Sequence, residues 1–328
     1  MRGLRSARRR PRSRRPIIEG PFQTVKIMLS NLIVRLMPLV PKPIIRSISR
    51  RYIAGDLLDD AIATARRLHD NEGARTTIDV LGEFVDNRER AAKEAGDSRQ
   101  VLDAIAAHEM AGFAGLSVKP TSLGLGIDTE FAYANIHALA TRAHELGIFM
   151  RIDMENTPYT DKTLDVYRRL RADGFDSVGL VLQSMLRRTE QDIRDLVEYE
   201  PTIRLCKGIY REPEDLAWQG REEIRDAFQR QLRLMVENGM YAAIATHDEP
   251  LIIDAYEVIK AHGLGPDDYE FQMLLGVQEK LRRRILDQGH NLRVYVPFGE
   301  DWYGYSSRRL KENPAMAGMI AKAVLTGR

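Results

Sequence analysis

The chain has 328 residues, 44% of them hydrophobic and 29% charged, enough to bury a large core as one domain or two. A single cysteine, Cys206, excludes an intramolecular disulfide and fits a reducing compartment, and the seven histidines show no HExxH or other metal-ligand spacing, so no metal site is expected. The formal charge of +2 conceals a division: residues 1–16 hold eight arginines and no acid, and without them 41 basic residues face 47 acidic ones.

Residues 1–21 read as a basic disordered tail, because a block of like charge repels itself and buries nothing. The tail has no apolar core of a signal peptide, and nucleic acid is not expected as a partner. Residues 22–74 read as an N-terminal helical arm. Within it, the stretch 22–52 carries six basic residues and no acid, with Val25, Met28, Leu29, Leu32 and Leu36 at helical spacing. Its longest uncharged run, 27–34, is far too short to span a bilayer. A basic amphipathic helix lying on an anionic membrane surface fits this pattern; a helix packed by its apolar stripe against the body fits it equally.

From residue 75 onward, short β-branched or apolar runs alternate with longer amphipathic ones. Eight strands are predicted: 76–82, 115–119, 148–153, 177–183, 202–207, 241–246, 269–274 and 292–296. Helices are predicted between them, among others over 128–146, 160–173, 187–199, 215–238 and 249–262. Alternation of this kind implies a parallel sheet covered on both faces. Eight units in about 250 residues match the arithmetic of a (β/α)8 barrel, although a doubly wound sheet holds eight strands too. No linker divides the region, so 75–328 reads as one domain.

Polar residues crowd the C-terminal ends of these strands, where barrel enzymes place their sites. Lys119 follows strand two, Asp153 ends strand three, Gln183 closes strand four, and Arg204 lies in strand five, which runs into Lys207. Thr246 and His247 follow strand six, and Tyr295 lies in strand eight. Lys119 is a Schiff-base nucleophile, a charged group paired with Asp153, or simply a solvated lysine. Asp153 and Glu155 in "RIDMEN" suit an acid–base pair, but a strand-end acid equally caps a following helix. Arg204 lies in an otherwise apolar strand and needs a partner or a ligand. The loop "SLGLGIDTEF", from 122, has two glycines but Thr129 where a dinucleotide fingerprint needs a third, so it reads as a plain loop. Finally, in "YGYSSRRLKENP" (303–314) helical spacing places Tyr305, Arg308, Arg309 and Glu312 on one face. That is either a solvated face with an Arg308–Glu312 pair or a fork of guanidiniums for a carboxylate.

Four stretches in order, "RLCKGIYREP" (204–213), "EFQMLLG" (270–276), "RVYVPFG" (293–299) and "YSSRRLKENP" (305–314), resemble the proline dehydrogenase family, over about residues 75–325. The resemblance implies a distorted (β/α)8 barrel that binds FAD without a Rossmann fold. It implies oxidation of L-proline to Δ1-pyrroline-5-carboxylate, with electrons passed to a quinone, in the cytoplasm or peripherally on the inner face of the cytoplasmic membrane. It assigns Arg308 and Arg309 to the substrate carboxylate, with Glu312 holding that clamp and Lys119 in contact with substrate. Asp153 would orient Lys119 and the site, and Arg204 would stand beside the flavin and stabilise its reduced, anionic form. Met154, Gln183, Lys207, Gly208, Ile209, Thr246 and His247 match FAD-contacting positions, and Tyr210, Leu274, Tyr295 and Tyr305 match the pocket around the proline ring. Many members have Ala where this chain has Ile209. Tyr295 stands where relatives that prefer hydroxyproline have a smaller residue, which points to proline. Two other classes stay open from the residues alone: a barrel lyase or aldolase working through Lys119 or Lys207, and a non-catalytic membrane-associated barrel.

Overall fold

The computed structural model describes residues 45, 46 and 49–306, and residues 46–306 form one compact unit. Arg308, Arg309, Glu312 and nearly all of the basic stretch 22–52 lie outside the described residues.

After helix α1 (Leu58–Glu72), strands and helices alternate without exception. The strands are β1 (Arg75–Val80), β2 (Ala114–Val118), β3 (Met150–Ile152), β4 (Val178–Gln183), β5 (Thr202–Cys206), β6 (Tyr241–Ala245), β7 (Tyr269–Leu274) and β8 (Leu292–Phe298). Between them lie α2 (Arg88–Ala107), α3 (Thr129–Glu145), α4 (Thr160–Ala172), α5 (Thr189–Leu196), α6 (Arg221–Glu237), α7 (Glu249–His262) and α8 (Glu279–Asp287). Each strand pairs in parallel with the next, and β8 pairs with β1 in the register Thr77–Tyr295 and Asp79–Pro297. That closing ladder makes the sheet a (β/α)8 barrel and removes the doubly wound alternative. All eight predicted strands are present.

Two helices are shorter than their periodicity predicts. α6 starts at Arg221, after Gly220, because residues 213–217 turn back so that Ala217 bridges Leu186. α5 passes at Val197 into a 3-10 turn that ends on Glu200 at φ 45°.

The apolar core lies between barrel and helices. Ile78, Leu116, Met150, Leu180, Ile203, Ile244, Phe271 and Val294 point outward into it. α1 adds Ala61, Ile62, Ala65 and Leu68, spaced for one buried face, to the same cluster. Each fully buried aliphatic side chain there contributes roughly 1.5–3 kcal/mol.

The inside of the barrel, by contrast, is polar. Strand period sends Asp79, Arg151, Arg204, Glu270 and Tyr295 inward, opposite to their apolar neighbours. Arg151 is 1% exposed and donates from Nη1 to the carbonyls of Leu180 (3.0 Å) and Thr202 (2.6 Å). Room for it comes from Gly179, where a Cβ would lie 2.6 Å from that same nitrogen. Burial pulls the Arg151 pKa down to about 9.

Candidate active site

The C-terminal ends of β1, β2, β3, β5 and β8 bring two ion pairs together. Lys119, one residue past β2, donates to both carboxylate oxygens of Asp79 on β1, at 2.6 and 2.7 Å. Asp153, one residue past β3, accepts from Arg204 Nη1 at 2.7 Å and from Ser117 Oγ at 2.7 Å. Tyr295 joins the pairs: its hydroxyl donates to Asp153 Oδ2 at 2.9 Å and lies 3.4 Å from Lys119 Nζ. Arg204 also sits over the Tyr295 ring, 5.2 Å from its centroid.

Lys119 therefore pairs with Asp79 rather than with Asp153. In the β1–β2 register Asp79 is level with Ser117, two residues before Lys119 on the same inner face, and Asp153 is already occupied by Arg204, Ser117 and Tyr295. Asp79 escaped the sequence reading, although the rule applied to Arg204, that a charge inside an apolar strand needs a partner, applies to "TTIDVLG" as well.

Burial and the charges shift the titrations. Burial pushes the Asp79 carboxyl up to about 6 against the opposing pull of Lys119. Lys119 is itself penalised by burial, but the charges of Asp79 and Asp153 outweigh that and raise its pKa, so it stays an ammonium. The Tyr295 phenol, buried and beside Asp153 and Asp79, is pushed well above its ordinary value and stays a proton donor.

Glu155 does not join Asp153 as an acid–base partner. It is 0% exposed and binds the loop after β2, accepting from Thr121 through the backbone N–H (2.8 Å) and the hydroxyl. Burial raises its pKa to about 7. Gln183 is also buried, and it donates to the Glu155 carbonyl at 2.8 Å. Met154, between the two acids, is 6% exposed.

Beyond β5 and β6 the remaining assigned residues form a second group. Lys207 Nζ lies 3.0 Å from Asp248, which Arg225 also engages at 2.7 and 2.9 Å and Arg221 approaches at 3.8 Å. Burial would raise the Asp248 pKa, but the bonds from Arg225 and Lys207 prevail and lower it to about 2. Thr246 Oγ1 accepts from the Asp248 backbone N–H at 3.1 Å, and His247 Nε2 accepts from the Leu274 N–H at 3.0 Å, which places the ring proton on Nδ1. Gly208 has φ +103°, and a Cβ there would meet Met185 Sδ at 2.5 Å, so only glycine fits for two independent reasons. Ile209 is 50% exposed, and Tyr210 packs on the small cluster of Met185, Leu186 and Ala217. Tyr305 is 7% exposed and close enough to Tyr295 to act on its titration. No His/Cys/Asp/Glu cluster among the described residues is arranged to hold a metal, and no described helix is long and apolar enough to cross a membrane.

Comparison with known proteins identifies the family. A family model described as proline dehydrogenase matches residues 61–322. The chain is 38% identical over 274 residues to proline dehydrogenase 2 of Bacillus subtilis (strain 168), covering 84% of this chain and 89% of that protein. It is 34% identical over 285 residues to the proline dehydrogenase of Deinococcus radiodurans, covering 86% of this chain and 91% of the relative. Among solved structures, proline utilization A of Bdellovibrio bacteriovorus, inactivated by N-propargylglycine, superposes with a TM-score of 0.77 at 23% identity. That match covers 82% of this chain but 33% of the larger protein, and it speaks to the fold alone.

Proposed function

The chain belongs to the proline dehydrogenase family of oxidoreductases, and on that premise we propose that it oxidises L-proline to Δ1-pyrroline-5-carboxylate with FAD as cofactor and a quinone as final acceptor. The observation that carries the proposal is the joined pair of ion pairs, Lys119–Asp79 and Arg204–Asp153, bridged by Tyr295 at the barrel mouth.

Oxidation removes a hydrogen with its electron pair from substrate C5 and a proton from the ring nitrogen, leaving a C=N bond. The amine must be neutral to react, so the rate rises with pH. Arg308 and Arg309 are proposed to clamp the substrate carboxylate, steadied by Glu312, because planar guanidiniums match carboxylate geometry. Lys119 contributes a third cation, held in place by Asp79. Tyr295, Leu274, Tyr305 and Tyr210 are proposed to line the ring pocket, with the Tyr295 phenol aimed by Asp153.

The residues assigned to FAD fit such a group. Arg204 is 8% exposed and uses Nε and Nη1 on protein partners, while Nη2 makes no hydrogen bond among the described residues. Lys207, Arg221 and Arg225 gather on the one carboxylate of Asp248, leaving a cationic edge suited to a pyrophosphate. Gln183, Met154, Gly208, Ile209, Thr246 and His247 complete the proposed cradle. Bound FAD supplies the acceptor for the electron pair.

The lyase reading through Lys119 loses support, because a nucleophilic lysine needs a lowered pKa and that of Lys119 is raised. The basic stretch 22–52 is proposed to rest on the inner face of the cytoplasmic membrane, where a lipid-soluble quinone is reached. In this arrangement residues 1–21 remain a tail, 22–74 the arm and 75–328 the catalytic barrel.

The test is an absorption spectrum of purified protein before and after anaerobic L-proline. Flavin bands that bleach support the proposal, whereas a colourless protein that takes up no added FAD ends it.

A further inference from the structure

Arg204 is also engaged by a side chain two strands along the barrel wall. Its Nε, on β5, donates to Gln272 Oε1 on β7 at 2.6 Å. The other end of the Gln272 amide turns back along its own strand, Nε2 donating to Glu270 Oε1 at 2.6 Å. Residues two apart on a strand share a face, so this contact follows from the pleat. Glu270 in turn accepts from Arg293 Nε at 2.7 Å, and Arg75 Nη1 lies 3.5 Å from its second oxygen. Glu270 is 1% exposed and Gln272 6%.

An amide can face either way, but a carboxylate only accepts. Burial drives the Glu270 carboxyl toward protonation, yet the Arg293 charge and the bonds from Arg293 and Gln272 prevail and hold its pKa below the ordinary value. An ionised Glu270 therefore selects one amide orientation, with nitrogen toward Glu270 and oxygen toward Arg204. That oxygen takes Nε while Asp153 takes Nη1, so the planar guanidinium is held at two of its nitrogens.

We propose that Gln272 is a positioning residue for Arg204, and that the Glu270–Arg293 pair sets the orientation of Gln272. The consequence for catalysis rests on the reading of Arg204 as the cation beside the flavin. Under that reading, Gln272 acts on the reduction potential and on kcat without touching substrate.

The experiment compares the full-length wild-type protein, Gln272→Met, which roughly conserves volume but offers no oxygen, and Glu270→Gln, which removes the acceptor-only carboxylate and leaves Arg204 alone to select the amide orientation. Arginine-selective 15N labelling follows the Arg204 Nε–H, assigned by its loss in Arg204→Lys. In Gln272→Met its protection from exchange should fall about tenfold or more, as for loss of a buried hydrogen bond. The bound flavin should become harder to reduce in an anaerobic redox titration, and kcat should fall about tenfold while the KM for proline changes less than about twofold. Glu270→Gln should move each reading in the same direction by a smaller factor, and it serves if Gln272→Met does not fold. Unchanged Nε–H protection in both variants overturns the proposal. If the wild type binds no flavin, the proposed function falls, and the Nε–H comparison still decides the positioning role.

Discussion

The Tyr295 hydroxyl donates to Asp153 at 2.9 Å from β8 to β3, two strands that are not neighbours in the barrel wall. A bond across the lumen ties opposite sides of the mouth together and joins two ion pairs that would otherwise be separate. Among the described residues, Tyr295 is the donor to Asp153 Oδ2, so removing the hydroxyl takes that oxygen's bond away.

Tyr295→Phe keeps the ring and deletes only that bond. Leaving an oxygen of the partly buried Asp153 carboxylate unpaired costs up to about 1–3 kcal/mol. The expected outcome is a kcat/KM for proline lower by roughly tenfold to a hundredfold, with retained flavin, read by steady-state kinetics and absorbance. Wild-type kinetics in this variant would remove Tyr295 from the site.

Arg308→Lys keeps the charge but loses the forked geometry. The KM for proline should rise by about tenfold or more, since a bond to a charged partner is worth roughly 1.5–3 kcal/mol, while FAD content stays at the wild-type level. An unchanged KM excludes the clamp.

Gly208→Ala meets two obstacles, a φ of +103° and the Met185 sulfur 2.5 Å from the new Cβ. The conformational part alone costs on the order of 1–3 kcal/mol. Thermal unfolding should come at a lower temperature and flavin should be lost more easily. Adding Met185→Ala should recover only the steric part, so a double variant as stable as wild type would contradict the backbone argument.

Glu155 makes stability depend on pH. Its folded pKa is about 7 against an ordinary 4.5, so between those values the folded state holds the extra proton and stability falls as pH rises. Glu155→Gln keeps hydrogen bonds to Thr121 and removes the buried charge. Its Tm should exceed that of wild type by a few degrees at pH 8, on the order of 3 kcal/mol or less, and the difference should vanish near pH 4. Parallel Tm–pH curves would show that Glu155 does not titrate in this range.

The barrel was readable because its signal is local. β-branched and apolar runs such as "SVGLVLQ" and "TIRLCK", separated by amphipathic stretches, return as β4 and β5 within a residue or two. The boundary of α6 was not readable, because the amphipathic pattern of 215–238 runs on through a segment that a tertiary bridge between Leu186 and Ala217 holds out of the helix.

In the site, the candidates Lys119, Asp153, Arg204 and Tyr295 announced themselves as polar groups at strand ends or inside apolar strands. Asp79 and Gln272 did not, since their roles exist only toward partners 40 and 68 residues away in the chain, and Glu155 announced itself as a partner for Asp153 although its contact is with Thr121, 34 residues away.

By itself, then, the order of residues determined eight strand–helix units, the inward placement of the polar residues and the family. Strand period and helix period are properties of neighbouring residues, and the motifs are contiguous. Which charge meets which was decided only when the barrel closed. Closure sets the register and stagger of the strands, and these brought Asp79 rather than Asp153 to Lys119, and Gln272 to Arg204. Ion pairs and hydrogen bonds form over about 3 Å, so their partners follow from that three-dimensional register and not from spacing along the chain.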